Sequence, residues 1–214
     1  MFPLPNAVLL PKAILPLHVF EPRYRTMTEE ALAGNRHIAI ALLRPGFEKK
    51  YHTLDADVFP EVGVGRILKE ERLQDGRFNL LLMGATRARL VSENKDRPYR
   101  RGQLRVINPS QIQPETECKL RKRLRALLAT EPLATIARES NWTQLFACSS
   151  FSLSDVVDLI ASVVVQKPED KQCFLAEACV EARTNCICDV LESVCSGLIT
   201  ANVPRPWPPQ THQN

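Results

Sequence analysis

Most patterns that assign a chemistry on sight are missing from this 214-residue chain. There is no G-x-x-x-x-G-K-S/T loop to cradle phosphates, no H-E-x-x-H and no G-x-S-x-G, which excludes the ATPases and hydrolases built on those motifs. No histidine falls between positions 53 and 211. No apolar run approaches the roughly 20 residues of a membrane span. The apolar start has no basic n-region, and Pro3, Pro5 and Pro11 cut it, so it does not read as a secretory signal. Cysteine is absent from the first half; all seven (Cys118, Cys148, Cys173, Cys179, Cys186, Cys188 and Cys195) come later. Without an export signal a disulfide framework is not expected. Cys186-x-Cys188 is tighter than the usual zinc spacing. The expectation is a cytoplasmic protein whose cysteines are reduced, mostly buried helical-core residues, with no metal and no cofactor.

What is present is ordinary for a globular protein: 44% hydrophobic and 24% charged residues, with a net charge of +4. That charge is unevenly spread. Residues 87–125 hold 12 basic against 4 acidic side chains, whereas residues 126–214 hold 5 against 10. Such a stretch is either a solvated face or a patch for a polyanion.

The stretch Phe2–Asn35 organises the rest. Ala7–Leu10 and Ile14–Val19 read as two short strands, parted by Pro11, with Pro16 inside the second. Pro22 opens a helix predicted over 22–33, at a position where its missing N–H costs nothing. Gly34-Asn35 ends it, glycine taking the left-handed closing conformation cheaply. Ile38–Leu43 is a strand buried on both faces, and residues 47–60 form an exposed loop. Val62–Leu73 and Phe78–Val91 form a hairpin about Asp75-Gly76. Gly63 and Gly65 bare one strand face where the strand bends or another backbone approaches, and Gly84 marks a bulge or corner. Gly102–Ile107 is the next strand, with Leu104 and Val106 pointing one way.

Beyond Pro114 the apolar period becomes helical. Leu120, Leu124, Leu127 and Leu128 share one face. Trp142, Leu145 and Phe146 read as packing anchors. Ser152 or Ser154 caps a helix, Pro168 opens another, and Glu181–Ser196 is the last. The fold class is therefore α+β. A β pseudo-barrel of about six strands and one helix, which resembles the PUA fold, spans 1–110, a helical bundle spans 111–197, and a proline-rich mobile tail, with Trp207, spans 198–214.

FPLPNAVLLP, then LPLHVFEPRYRTM, IAIALLRPG and VGVGRILKEERLQDGRFNLLLMGATRARL, resemble the amino-terminal, substrate-binding domain of the Lon (La) ATP-dependent proteases. The likeness is greater still to the stand-alone bacterial proteins made of that domain without ATPase and protease domains. PEDKQCFLAEACVEAR is similar to the helical end of that domain, although its cysteines depart from the pattern. The resemblance implies a non-catalytic module that recognises polypeptides, an adaptor for unfolded or regulated clients. The implied partners are unfolded or specific client polypeptides, with a separate protease or a second copy of the chain as further candidates, and no membrane. Leu9, Leu10, Ile14, Leu15, Phe47 and Phe59 are the apolar candidates for such contact, and pattern alone places them equally well in the core.

His18, Glu21, Pro22, Arg23 and Tyr24 form the most specific motif. They either face a partner or close the helix start onto the barrel, and the second is preferred because a buried charge must be paired. The alternative function is RNA binding through the PUA-like barrel and a patch of Arg97, Arg100, Arg101, Arg121 and Arg125. Nucleic acid ranks behind polypeptide, since residues 87–125 offer only Tyr99 to stack a base.

The absent phosphate loop yields the first prediction: purified protein hydrolyses neither ATP nor peptide bonds. Steady-state ATP turnover that one point substitution abolishes would refute it.

Overall fold

The computed structural model describes residues 1–140, 142 and 151–197. The expected tail at 198–214, with Trp207, and also Leu145, Phe146 and Cys148, lie outside the described residues. The chain divides into two compact units, a sheet unit over Met1–Ile107 and a helical unit beginning at Asn108.

The sheet unit contains β1 (Phe2–Leu4), β2 (Ile14–Val19), α1 (Pro22–Ala33), β3 (His37–Leu42), β4 (Glu61–Arg72), β5 (Phe78–Asn94) and β6 (Arg101–Val106). The sheet is open and six-stranded, in the order β1-β3-β4-β5-β2, with β6 added to β5. Only the β1–β3 pair is parallel. β5 is too long for one neighbour on this side. Phe78–Met83 pair with β2, and Ala88–Asn94 pair with β6.

The β4–β5 turn forms as its Asp-Gly pair requires. Gly76 N–H donates to the Leu73 carbonyl at 2.9 Å, and Leu73 N–H to the Arg77 carbonyl at 2.9 Å. Gly76 takes a φ of +81°, the left-handed step that closes a three-residue hairpin loop. Two register shifts bend the pair. One leaves Ala85 unpaired beside Gly84, and the other leaves Leu68 unpaired.

Two local expectations are corrected. Ala7–Leu10 is not a strand: β1 lies earlier, at Phe2–Leu4, and Leu9 and Leu10 cross the inner face of the sheet, almost wholly buried. The glycines make the crossing feasible. An ideal Cβ would lie 1.9 Å from the Leu9 carbonyl oxygen at Gly63, and 2.0 Å from the Leu10 carbonyl oxygen at Gly84. At Gly65 it would lie 2.6 Å from Leu9 Cδ2. Lys12 N–H donates to the Gly84 carbonyl at 2.7 Å and Gly84 N–H to the Ala13 carbonyl at 2.8 Å, so the crossing segment is bonded to β5 as it leaves. Second, α1 does not close through a left-handed glycine. Gly34 has φ −105°, and the left-handed residue is Arg36 at +61°. Arg36 N–H reaches back to the Ala31 carbonyl at 2.9 Å, and its side chain is held by the Ile67 carbonyl and Glu70.

The helical unit contains α2 (Pro114–Leu128), α3 (Leu133–Glu139), α4 (Leu153–Val164), α5 (Pro168–Ala176) and α6 (Val180–Cys195). α2, α3 and α4 each pack on α6. α2 turns Leu120, Leu124 and Leu128 inward, the i, i+4 stripe read in the sequence. Ser152 and Asp155 form a reciprocal capping box that starts α4. Arg183 of α6 is wholly buried and donates to Asp158 and to Ser154 Oγ of α4. The cysteines are not mostly buried. Of the six described, Cys188 alone is buried, while Cys118, Cys173 and Cys186 are exposed. The helix period places them on outer faces, and burial against the bundle falls to leucine, isoleucine and valine.

Gly63→Ala is expected to cost about 3 kcal/mol or more, the upper part of the overpacking range, because backbone rather than a movable side chain occupies the space. Urea unfolding followed by circular dichroism tests this. An unchanged midpoint would show that Leu9 does not cross there.

Candidate functional site

In the sheet unit an open groove of about 650 Å³ runs beside β6. Ala39 of β3, Val64 of β4, Ala88 of β5 and Leu104 and Val106 of β6 supply its apolar lining, with Met27 and Ala31 contributed by α1. Register explains the lining. Leu104 sits opposite Leu90 and Val106 opposite Ala88, so these four share one face. Gly102 leaves room for Leu90, whose Cδ1 lies 2.4 Å from where a Cβ would stand. The lining is also the outer margin of a buried cluster that includes Ala41, Leu43, Val58 and Val62.

The rim is polar. Tyr99 Oη donates to Glu30 Oε2 at 2.6 Å, and Arg97 lies 3.7 Å from the same carboxylate. Burial, and then this hydrogen bond, push the Tyr99 phenol up to about 12, so it remains a neutral donor at physiological pH. Among the described residues β6 pairs with β5 alone, and its outer edge faces solvent: Val106 is 52% exposed.

The F-E-P-R-Y motif builds a separate cluster at the start of α1. Arg23 Nε donates to Glu21 Oε2 at 3.0 Å, and its Nη2 donates to the Tyr51 carbonyl at 2.9 Å. The guanidinium lies 4.4 Å from the centre of the Tyr24 ring, which packs on Phe2 at 4.1 Å. Burial pushes Tyr24 up to about 12 and drives Tyr51 higher still. His18 bonds Asn79 Oδ1 through Nδ1 at 2.8 Å, with Arg77 Nη1 3.3 Å from Nε2. Because Asn79 Nδ2 donates to Glu71, its oxygen must face the ring, which places the His18 proton on Nδ1. The polar groups of the motif are thus engaged within the fold.

The helical unit has its own pocket of about 760 Å³, lined in part by Val164, Phe174, Val190, Cys173 and Cys186. Among the described residues no group of three His, Cys, Asp or Glu side chains is arranged to hold a metal ion.

The apolar residues proposed from sequence are scattered. Leu9 and Leu10 are core and unavailable to a partner. Ile14 is half exposed, and Leu15, Phe47 and Phe59 are partly buried, Phe47 against the cluster beneath the groove and Phe59 beneath the Arg44 guanidinium. None of the six lines the groove. The residues that do line it were marked only by the alternation of Gly102, Leu104 and Val106.

The basic patch is also not a single free surface. Arg100 is buried: its Nη1 donates to the Ala56 carbonyl, and its Nε and Nη2 hold both oxygens of Glu93 at 2.9 and 2.5 Å. Arg97 pairs with Glu30, Arg101 with Asp96, and Arg121 with Glu117 and the Phe151 carbonyl. Arg125 is exposed on α2.

Comparison with known proteins agrees with this architecture. The family model described as ATP-dependent protease La (LON) substrate-binding domain matches residues 1–193. Lon protease of Desulfosudis oleivorans is 26% identical over 187 residues, 86% of this chain and 22% of that protein. The chain therefore spans about a fifth of that relative's length. Among solved structures, the N-terminal domain of a Mycobacterium avium complex Lon protease superposes with a TM-score of 0.63 at 15% identity, covering 89% of this chain and 95% of that one. A Lon N-terminal domain protein from Xanthomonas campestris gives 0.59 at 20% identity, covering 87% and 94%. Both likenesses are of fold.

The burial of Arg100 leads to a contrast between two variants. Arg100→Ala strands Glu93 and the Ala56 carbonyl and is expected to cost about 3 kcal/mol or more. Arg97→Ala, at an exposed pair, should cost less than about 1 kcal/mol. Equal denaturation midpoints for the two would contradict the buried bidentate pair.

Proposed function

Because the chain belongs to the family of ATP-dependent protease La (LON) substrate-binding domains, we propose that it is a non-catalytic module that binds unfolded or regulated client polypeptides. In this reading it acts as an adaptor that presents such clients to a separate protease. One observation carries the reading: an apolar groove lies beside a strand whose outer edge is unpaired among the described residues. Such a site offers an extended chain both backbone partners and pockets for alternate side chains. A folded protein seldom presents its strands in this way, whereas an unfolded one does so throughout its length. The helix-and-sheet match is to the substrate-binding portion of Lon proteins, which agrees with a module that binds and does not cleave.

The RNA reading ranks second. Of the five arginines proposed for the patch, Arg100 is committed to the interior and three others are ion-paired.

A reduced and carboxymethylated protein, unable to refold, serves as the probe. Binding measured by titration calorimetry is expected to show a negative heat-capacity change. It should largely survive a rise in salt from about 50 to 200 mM, a range over which multi-phosphate binding collapses. Tight binding of RNA instead, with a steep salt slope, would overturn the proposal.

A further inference from the structure

The margins of the sheet are not treated alike. β1 carries Pro3 and β2 carries Pro16, both paired on their inner side. A proline cannot donate to a ladder, so its nitrogen faces the outer edge and removes a donor there. The end of β4 that projects beyond β3 carries Lys69, Glu70, Glu71 and Arg72, a run of charge that discourages pairing. β6 has neither device: its sequence is Arg-Gly-Gln-Leu-Arg-Val, without proline and without alternating charge. Three margins are blunted by proline or by a run of charge, and the one beside the groove carries only separated arginines.

The two faces of β6 differ. Gly102, Leu104 and Val106 face the groove. Gln103 and Arg105 alternate with them and face the other way, by the period of two, whereas Arg101, at the start of the strand, lines the groove beside Gly102. Arg105 lies opposite Arg89 on β5. Arg89 is held by Glu61 at 3.0 and 2.7 Å, whereas Arg105 has no ion-pair partner among the described residues. Arg101 pairs with Asp96 at 3.4 Å. A strand laid along β6 would therefore meet apolar side chains on one face and the positive charge of Arg105 on the other.

We infer that β6 takes up an extended client segment as an added strand, and that the preferred segment alternates apolar with acidic residues. Its apolar side chains enter the groove beside Leu104 and Val106, and its carboxylates lie on the opposite face, beside Arg105. This rests on the polypeptide-recognition reading and names the class of client that the site selects. The arginines of β6 disfavour a second copy of the chain. In an antiparallel pair of β6 strands, the register centred on Gln103 sets Arg101 of each copy against Arg105 of the other, and the register centred on Arg105 sets the two Arg105 residues together.

The test uses the full chain and a fluorescein-labelled nine-residue peptide of alternating valine and glutamate, followed by anisotropy. The carboxymethylated unfolded protein is measured alongside. The peptide should bind and displace the unfolded protein. Methylating its alternate backbone nitrogens should abolish binding in the register that supplies the ladder. Arg105→Glu should weaken it about tenfold, by exchanging an attraction for a repulsion. The same variant should bind a valine–lysine peptide more tightly than the unaltered protein does. That gain cannot come from misfolding. If the unfolded protein binds but the peptide does not displace it, or if Arg105→Glu leaves both peptides unchanged, the inference falls and polypeptide recognition stands. If neither ligand binds, both fall. Dimerisation in sedimentation that Arg105→Glu enhances or abolishes would assign the edge to a second copy and overturn the inference.

Discussion

The sheet unit depends on one close approach, the passage of the Leu9–Leu10 backbone over Gly63, Gly65 and Gly84. Carbonyl oxygens stand where side chains would be, so no residue with a Cβ fits at Gly63 or Gly84 without moving backbone. Once seated, Leu9 and Leu10 fill the interior beneath β4 and β5, and the bonds between Gly84 and residues 12 and 13 direct the chain into β2. The bulge at Ala85 adjoins this contact, so the bend of the sheet and the seating of the crossing segment occur at one place. Nothing local in Ala7–Leu10 could build this arrangement, because Pro5 and Pro11 deny it regular ladder bonds.

A second constraint acts where β5 meets β6. The Arg100 guanidinium spans Glu93, near the end of β5, and the Ala56 carbonyl in the loop between β3 and β4. It thereby fixes the turn that returns β6 along β5. In the helical unit Arg183 plays a comparable part, joining α6 to Asp158 and Ser154 of α4 from a wholly buried position. In both units a buried arginine with several acceptors sets the geometry of elements that apolar packing alone would leave free to slide. Neither can be exchanged for lysine without losing a branch of the fork.

These features explain what could be read from the sequence and what could not. The helix at Pro22, the Asp75-Gly76 turn, the change of period near Pro114 and the Ser152 cap are local signals, since each is decided by residues within a few positions. Gly63 and Gly65 were legible as a site of close approach, but not the identity of the approaching backbone, which lies more than fifty residues away. An apolar run such as Val8-Leu9-Leu10 has the same composition whether it fills a core or a binding groove. Only its long-range partners decide. Likewise Arg100 and Arg105 carry the same charge in the sequence, yet one is a structural pin and the other faces solvent. The exposed cysteines were misplaced for a related reason. Cysteine is small and often buried, and that general tendency could not reveal which arc of each helix the leucines and valines would claim.

The groove itself follows from a mismatch of lengths. β5 runs for 17 residues, whereas β2 pairs with only its first six. The chain joins that margin only at Gly84, where the crossing segment ends and leads into β2. The remaining half of β5 therefore needs another neighbour, and β6 supplies it with nothing beyond among the described residues. An edge in that position exposes strand to solvent and invites indiscriminate pairing. Arg105 on its outer face limits that hazard without closing the edge, because it repels a like strand and leaves the backbone free. The groove and its open edge thus arise from the same crossing that stabilises the core. A deeper β2, or a side chain at Gly84, would remove both together.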